Sequence, residues 1–463
     1  MKDEEGNPVQ LYRLGTGNAA TTPNYVTDFY FGITRMTSTQ SLVVKGLSAG
    51  VRYTFKVCAV ETFGNASSPL TATYTYNAVD ETIEVPEVQY VGLSTYQKAT
   101  DGIQASKATQ VTLDLSAYAN QIQGEPVEAT NETLGGAITV DGTSQGTKVV
   151  LSTTGLGSQY GTQKLAIYFA QKENGAVVKY TKVSVNVLLC TYVLKTADDL
   201  DAFGALSKAE STSPGVWAGH FVLGNDIAYN KQFTPFITRE TVNSATASIG
   251  SPPWANWTDV VSHGFKGVFD GLGHTIEGLE IIGQATWSNN AGEPDACGFI
   301  GLLNNTGVIR NVAFTNASFT GAGNQGGGFI SYASNGTMEN IYVSYARLAN
   351  AGTGNVGTFI GVDSRAAARI KNCYVDLTKA TVSGSNIWAI GRVHEGYGVV
   401  SRVYVTGSTS AIKNLSTASG TANVYGAYAT RAEMKAANIA ITATNGWNMS
   451  YWTTDADGLP IFK

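Results

Sequence analysis

The sequence predicts an all-β protein: two β-sandwiches in tandem, then a right-handed parallel β-helix entered through a short capping helix. Three observations predict it. Charged residues are only 14% of the 463 residues and glycine supplies 52, against usual shares of about 25% and about 7%. Short runs of alternating apolar and polar residues, separated by Gly- and Asn-containing turns, fill the chain up to Cys190, and a period of two marks half-buried strands. Phenylalanines then recur every 30 residues, at Phe269, Phe299, Phe329 and Phe359, and a fixed period marks a chain that stacks copies of one unit.

Composition also excludes. Hydrophobic residues at 43% suffice for packed cores, so wholesale disorder is ruled out. Thirty Lys+Arg against 35 Asp+Glu give a net charge of −5 with no basic block, unlike the usual nucleic-acid binder. No apolar run approaches the roughly 18 residues of a membrane span, so no transmembrane segment is expected. Low charge with abundant Gly, Thr, Ser, Asn and Tyr suits an extracellular or cell-surface location. The N-terminus, MKDEEGNPVQ, lacks the apolar core of a signal peptide.

Residues 1–80 form the first expected domain. Tyr53, Phe55, Val57 and Ala59 alternate with Arg52, Thr54, Lys56 and Cys58 in one strand. Leu47, Gly50 and Tyr53 precede it as L-x-x-G-x-x-Y, a tyrosine-corner arrangement in which the hydroxyl bonds back to upstream backbone. Gly64-Asn65 is the turn and LTATYTY the closing strand. This stretch resembles the second half of a fibronectin type III domain. Only about eight residues precede its VQLYRLG strand, where the resemblance implies two further strands, so Met1 is expected to be an internal start.

Residues 81–190 form the second. DETIEVPEVQ reads as an acidic linker. VTLDLSAY, AITVDG, KVVLSTT, KLAIYFAQK and YTKVSVNVLL read as strands at the spacing of an immunoglobulin-like sandwich. No catalytic constellation is visible here, and a spacer role is expected.

Residues 191–463 carry the repeat. GVFDG, CGFIG, GGFIS and GTFIG hold the four Phe residues, and one more period reaches Ala389. TIEGLEI, VIRNVAF, TMENIYV, RIKNCYV and VVSRVYV follow in turn. A unit of this kind buries its apolar face only against copies of itself, which predicts parallel sheets with the Phe residues stacked inside. Asn311, Asn340 and Asn372 fall at matching places and predict a hydrogen-bonded ladder at a bend, broken by Arg402 in the last coil. Thr196 and Asp199 form a capping-box-like start for a helix whose Leu200, Phe203 and Leu206 face the open end. Trp447, Trp452, Leu459 and Phe462 are expected to close the other end.

The segment resembles the GLUG-repeat β-helices of bacterial surface proteins, frequent in Bacteroidales. The residues that carry the resemblance are Leu200 and Phe203, the L-x-N-D-I of Leu223, Asn225, Asp226 and Ile227, the run Phe269 to Ile276, the G-F-I-G units and the terminal W…D-G-L-P-I. The resemblance implies architecture more than activity, because such folds host adhesins, stalks and carbohydrate enzymes alike.

Candidate chemistry is sparse. Asp270 and His274 in FDGLGHT read as a tight turn, with Gly271 and Gly273 supplying positive φ. Asp455 and Asp457 read as a solvated turn rather than a calcium loop. Asp363 lies four beyond Phe359 and His394 five beyond Ala389, which places Asp363, His394 and Glu395 on adjacent coils. Paired carboxylates are what glycoside hydrolysis needs, but neither set here is complete. The insertion before the regular coils holds Trp254, Asn256, Trp257, Asp259 and His263, with Trp287 in the next loop. Aromatic faces bordered by hydrogen-bonding groups match sugar rings, so these six are the expected ligand-binding residues. Cys58, Cys190, Cys297 and Cys373 are scattered with no metal spacing, and are expected to be unpaired, with no metal site. No phosphate loop, nucleophile elbow or HExxH motif occurs, and no cofactor is expected. The expected function is a non-enzymatic adhesin that binds a glycan or a host or cell-surface protein. The rivals are a polysaccharide lyase or glycoside hydrolase, or an accessory part of a larger surface hydrolase.

Overall fold

The computed structural model describes residues 52–57, 68, 70–75, 79–99, 102–156, 160–206, 215–236, 264–283, 298–321, 326–334, 336–363, 369–392, 399–408, 412–413 and 424–463. The described chain is all-β, with two α-helices, and neither is long and apolar enough to cross a membrane. It forms two compact units. One comprises Met1–Glu87, Asp114–Val150 and Lys164–Val185; the other comprises Val88–Leu113, Leu151–Gln163 and Asn186–Lys463.

In the first unit β1 (Arg52–Val57) and β2 (Leu70–Thr75) pair antiparallel, Tyr53 opposite Tyr74, where alternation and the closing run place strands. The segment expected to be a linker is instead β3 (Glu81–Gly92), a strand of 12 residues. Its Ile83 and Val85 are buried while Glu84 and Pro86 point to water, so the alternation outweighs the acidic charge. β3 lies at the edge of a sheet ordered β3-β11-β10-β7-β8, where Pro86 costs no ladder bond. The hairpin β4 (Ser94–Ala99) and β5 (Gly102–Lys107) belongs to the second unit; in chain order then come β6 (Gln110–Asp114), β7 (Glu125–Asn131), β8 (Ala137–Ile138), β9 (Lys148–Ser152), β10 (Gly161–Glu173) and β11 (Ala176–Cys190). KVVLSTT, KLAIYFAQK and YTKVSVNVLL fall on β9, β10 and β11, whereas VTLDLSAY passes from β6 into a 3-10 turn at Ser116–Tyr118 and only Ala137–Ile138 of AITVDG is strand. Ala129, Ile138, Leu165, Ile167, Phe169, Val183 and Val185 form the buried side.

The second unit stacks parallel strands. β12 (Tyr192–Leu194) is followed by α1 (Ala197–Leu206), β13 (His220–Leu223), β14 (Ile227–Gln232), β15 (Val268–Asp270), β16 (Thr275–Ile282), β17 (Leu302–Leu303) and β18 (Val308–Gly321). Then come β19 (Gly326–Gly328), β20 (Ser331–Ser334), β21 (Thr337–Asn350), β22 (Asn355–Gly357), β23 (Ile360–Asp363), β24 (Arg369–Asp376) and β25 (Thr381–Ser383). β26 (Ile387–Trp388), β27 (Gly391–Arg392), β28 (Val399–Thr406), β29 (Ile412–Lys413) and β30 (Val424–Tyr428) complete the parallel strands. The largest sheet runs β12-β13-β15-β18-β21-β24-β28-β30, and two smaller ones run β17-β20-β23-β27 and β19-β22-β26-β29. From β19 to β28 the chain visits the three sheets in the same order in each turn, the repeat-like organisation that a β-helix has in general.

Inside the large sheet Phe221, Phe269, Ile309, Met338, Ile370 and Val400 form one register column. Phe299, Phe329 and Phe359 belong to another: Phe299 N donates to Phe329 O, Ile330 N to Phe359 O, and Phe359 N to Ile390 O. All four period-30 phenylalanines are buried, but Phe269 sits on strand β15 of the large sheet, whereas the other three lie at turns or bends between strands. Its ring meets Phe299 edge to face at 4.9 Å, so rings from a strand and from a turn fill one interior without sharing a column. TIEGLEI is displaced likewise, Ile276 pairing with Phe314 and Ile281 with Phe319.

The capping box forms as expected. Asp199 N donates to Thr196 Oγ1 at 3.2 Å, and Thr196 N to Asp199 Oδ2 at 2.9 Å. Leu200, Phe203 and Leu206 of α1 are buried in the core of the stack. The C-terminal segment departs from expectation. Trp447, Trp452 and Leu459, with Met434 of α2 (Arg431–Ala436), bury against Tyr374 and Tyr404. Tyr342, Tyr374 and Tyr404 are register neighbours on the outer side of the large sheet. This aromatic column draws the segment along the sheet face instead of across the end of the core. β31 (Trp452–Thr454) and β32 (Pro460–Phe462) form its terminal hairpin. Asp455 caps the hairpin turn by accepting from Asp457 N and Leu459 N, both at 2.9 Å, and pairs with Arg431. Cys190 and Cys373 are free, and burial pushes each thiol up to about 12; Cys58 and Cys297 lie outside the described residues.

Candidate functional site

The outer side of the large sheet gathers the polar chemistry of the second unit. In β13 Phe221 and Leu223 point into the core, which sends His220 and Val222 to the other side. Val222 lies beside Asp270, and Asp270 beside Arg310. Asp270 is buried and both of its oxygens are occupied. Oδ2 accepts from Arg310 Nε at 2.7 Å; Oδ1 accepts from Asn311 Nδ2 at 2.9 Å and from Leu272 N at 3.0 Å. A carboxylate so fully used is a structural acceptor.

Asp270 is also the head of the predicted ladder. Asn340 Nδ2 donates to Asn311 Oδ1 at 2.9 Å. Asn311, Asn340 and Asn372 all hold φ between 53 and 55°, the left-handed region that asparagine tolerates best among non-glycine residues. Arg402 does not break the ladder: at φ 58° it occupies the same conformation, and its Nε donates to Asn372 Oδ1 at 2.6 Å. The break falls one step earlier. Asn372 Nδ2 donates to Gly446 O at 3.0 Å, and Asn340 Oδ1 is left buried with no partner. The docked C-terminal segment has captured that amide.

The FDGLGHT turn forms around this head. Positive φ falls on Leu272 and Gly273, at 53° and 95°, and not on Gly271. Gly271 is needed for another reason, since a Cβ there would lie 2.4 Å from Asn311 O. His274 turns away to Asp226, Nδ1 to Oδ1 at 3.2 Å.

His220, Tyr90 and Tyr451 feel the charge of Asp270, and Tyr160 lies beside His220. The Tyr160 ring meets His220 edge-on at 6.1 Å. A Cβ on Gly273 would touch the Tyr451 ring at 3.4 Å. Burial raises the hydroxyl pKa of Tyr90 and Tyr451, and the Asp270 charge adds to it. His220 Nε2 is buried with no hydrogen-bond partner. Burial lowers the His220 pKa, with Arg310 acting in the same direction and Asp270 against it. The folded state therefore binds fewer protons here than the unfolded state, and this contribution to stability is present above the ordinary value of 6.5 and lost as pH falls below it. The urea midpoint should drop between pH of about 7 and 5, and drop less in His220→Phe.

The residues expected to bind ligand from sequence, Trp254, Asn256, Trp257, Asp259, His263 and Trp287, lie outside the described residues, as do His394 and Glu395. Asp363 ends β23, where its backbone pairs with Ser334. Sequence reasoning missed Tyr90, Tyr160, His220, Arg310 and Tyr451 as a group, because parallel stacking brings together positions hundreds of residues apart. The available signal was Asp270 in a repeat position held elsewhere by Ile300, Ile330 and Ile360.

No family model matches the chain, and no solved structure matches it. A stretch of 112 residues, 24% of the chain, is 36% identical to part of Halomucin from Haloquadratum walsbyi, and it spans 1% of that protein's length.

Proposed function

We propose that the chain is a non-enzymatic cell-surface or secreted glycan-binding protein or adhesin. In this reading residues 191–463 form a right-handed GLUG-type β-helix, and the fibronectin type III-like and immunoglobulin-like regions before it act as spacers. The observation that carries the binding function is the outer-face cluster. Tyr90 and Tyr451 lie near a fixed Asp270–Arg310 pair, with Tyr160 beside the adjoining His220, and the aromatic-plus-polar combination is what saccharide rings and hydroxyls require. That Asp270 is fully engaged by three donors favours holding a ligand over transferring its protons. The partial similarity to Halomucin accords with a surface or secreted location. The insertion with Trp254 and Trp257 is proposed as a second contact surface.

A glycan array probed with the purified chain tests this reading. Saccharides should be retained and recovered intact, and Tyr160→Ala should weaken retention roughly tenfold, the cost of a lost aromatic contact. Appearance of shortened fragments would replace binding by polysaccharide degradation. An array with no retained saccharide would remove glycan binding.

A further inference from the structure

Donors and acceptors around Asp270 are unequal in number. Both Asp270 oxygens are occupied, whereas Arg310 spends only Nε among the described residues, and its side chain is 41% exposed. The Nε bond to Asp270 fixes the guanidinium plane and leaves the edge formed by the two Nη groups unused among the described residues. That edge presents two parallel N–H bonds, the fork that matches a carboxylate. The hydroxyls of Tyr90 and Tyr451 have no hydrogen-bond partner among the described residues and add two more donors. His220 lies beneath this surface, with its Nε2 buried. Tyr160, 51% exposed, offers a ring face beside it.

We infer that this cluster is a subsite for a hexuronate, a sugar ring bearing a carboxylate. The Arg310 Nη edge takes the carboxylate, the Tyr90 and Tyr451 hydroxyls bond its oxygens and ring hydroxyls, and Tyr160 packs on the ring. The inference rests on the glycan-binding reading and goes further by naming the chemical class. A neutral sugar gives the Arg310 fork no two-oxygen partner, so the site discriminates by charge and planarity together.

Calorimetric titration of the full chain tests it with two probes: a glucuronic acid tetrasaccharide, and the same chain after reduction of every carboxyl to a primary alcohol. The acidic probe should bind at least roughly tenfold tighter, the scale of a lost charge-assisted pair. Arg310→Gln should abolish that preference. Tyr451→Phe deletes one oxygen while keeping the ring stacked on Phe462 at 6.3 Å, so it leaves the fold intact and should weaken the acidic probe about fivefold to tenfold. Equal binding of the two probes, or an acidic preference that survives both variants, overturns the hexuronate subsite and leaves glycan binding standing. No binding of either probe, with neutral saccharides retained on the array, also overturns it. No saccharide bound in either experiment overturns both.

Discussion

Phe203→Ala should lower unfolding stability by about 3–5 kcal/mol, the cost of deleting a ring from a core that does not close over the gap. Phe203 projects from α1 into an aromatic cage. Its ring stacks on Phe236 at 4.2 Å and lies 5.0 Å from Phe221, 5.4 Å from Phe269, 5.5 Å from Phe299 and 6.4 Å from Phe233. These neighbours hang from backbone held by parallel ladders, so they have little freedom to move inward. The helix itself is pinned, since a Cβ on Gly204 would lie 2.4 Å from Thr234 O. Denaturant titration checks this, with Phe203→Leu as the partial deletion, expected at about 1–1.5 kcal/mol. A loss below about 1 kcal/mol for the alanine variant would mean that α1 contributes little to closing the stack.

The features legible in the sequence were those written in local chemistry. Thr196 and Asp199 are three apart and cap a helix reciprocally wherever that helix lies, and the capping box was readable for that reason. Asn311, Asn340 and Asn372 were readable as a ladder because left-handed backbone selects asparagine at each repeat. What failed depended on which surface wins a competition. The acidic run at Glu81–Gly92 has a strand's alternation, and burial of Ile83 and Val85 outweighs three charges that point to water. Phe269 has the correct spacing but lies on a strand where the other three lie at turns or bends, because a period counts residues and not the lengths of strands between them. The C-terminal Trp residues were expected at an apolar end. They found an equally apolar column of tyrosines on the outer sheet face, and sequence alone does not rank two apolar surfaces. The candidate site was the least legible part. His220, Asp270 and Arg310 meet only through register, with 90 residues between the first and last, and none belongs to a motif that announces binding.

Asp270→Ala should cost about 2–3 kcal/mol, and most of that loss should come from one partner. Removing the carboxylate strands three donors: Arg310 Nε, Asn311 Nδ2 and Leu272 N. The arginine side chain is 41% exposed, so water replaces its lost bond and the ion pair itself is worth little. Leu272 N is partly exposed in the turn and is similarly compensated. Asn311 is different. It is 5% exposed, holds φ at 55°, and passes its own Oδ1 to Asn340. An unpaired amide at this point is desolvated, and the rotamer that bonds Asn340 loses its anchor. The ladder already carries one defect beyond Asn340, whose Oδ1 has no partner, so Asn311 and Asn340 would be left as an isolated pair between two breaks. The order of effects therefore discriminates: Asp270→Ala should exceed Asp270→Asn, which retains an acceptor for Asn311, and both should exceed Arg310→Ala at below about 1 kcal/mol. Hydrogen exchange supplies the local readout. Amides of the strands around Asn311 and Asn340 should exchange faster in Asp270→Ala than in Arg310→Ala. Equal losses in the two alanine variants would assign the stabilisation to the surface ion pair and leave the ladder with no share in it.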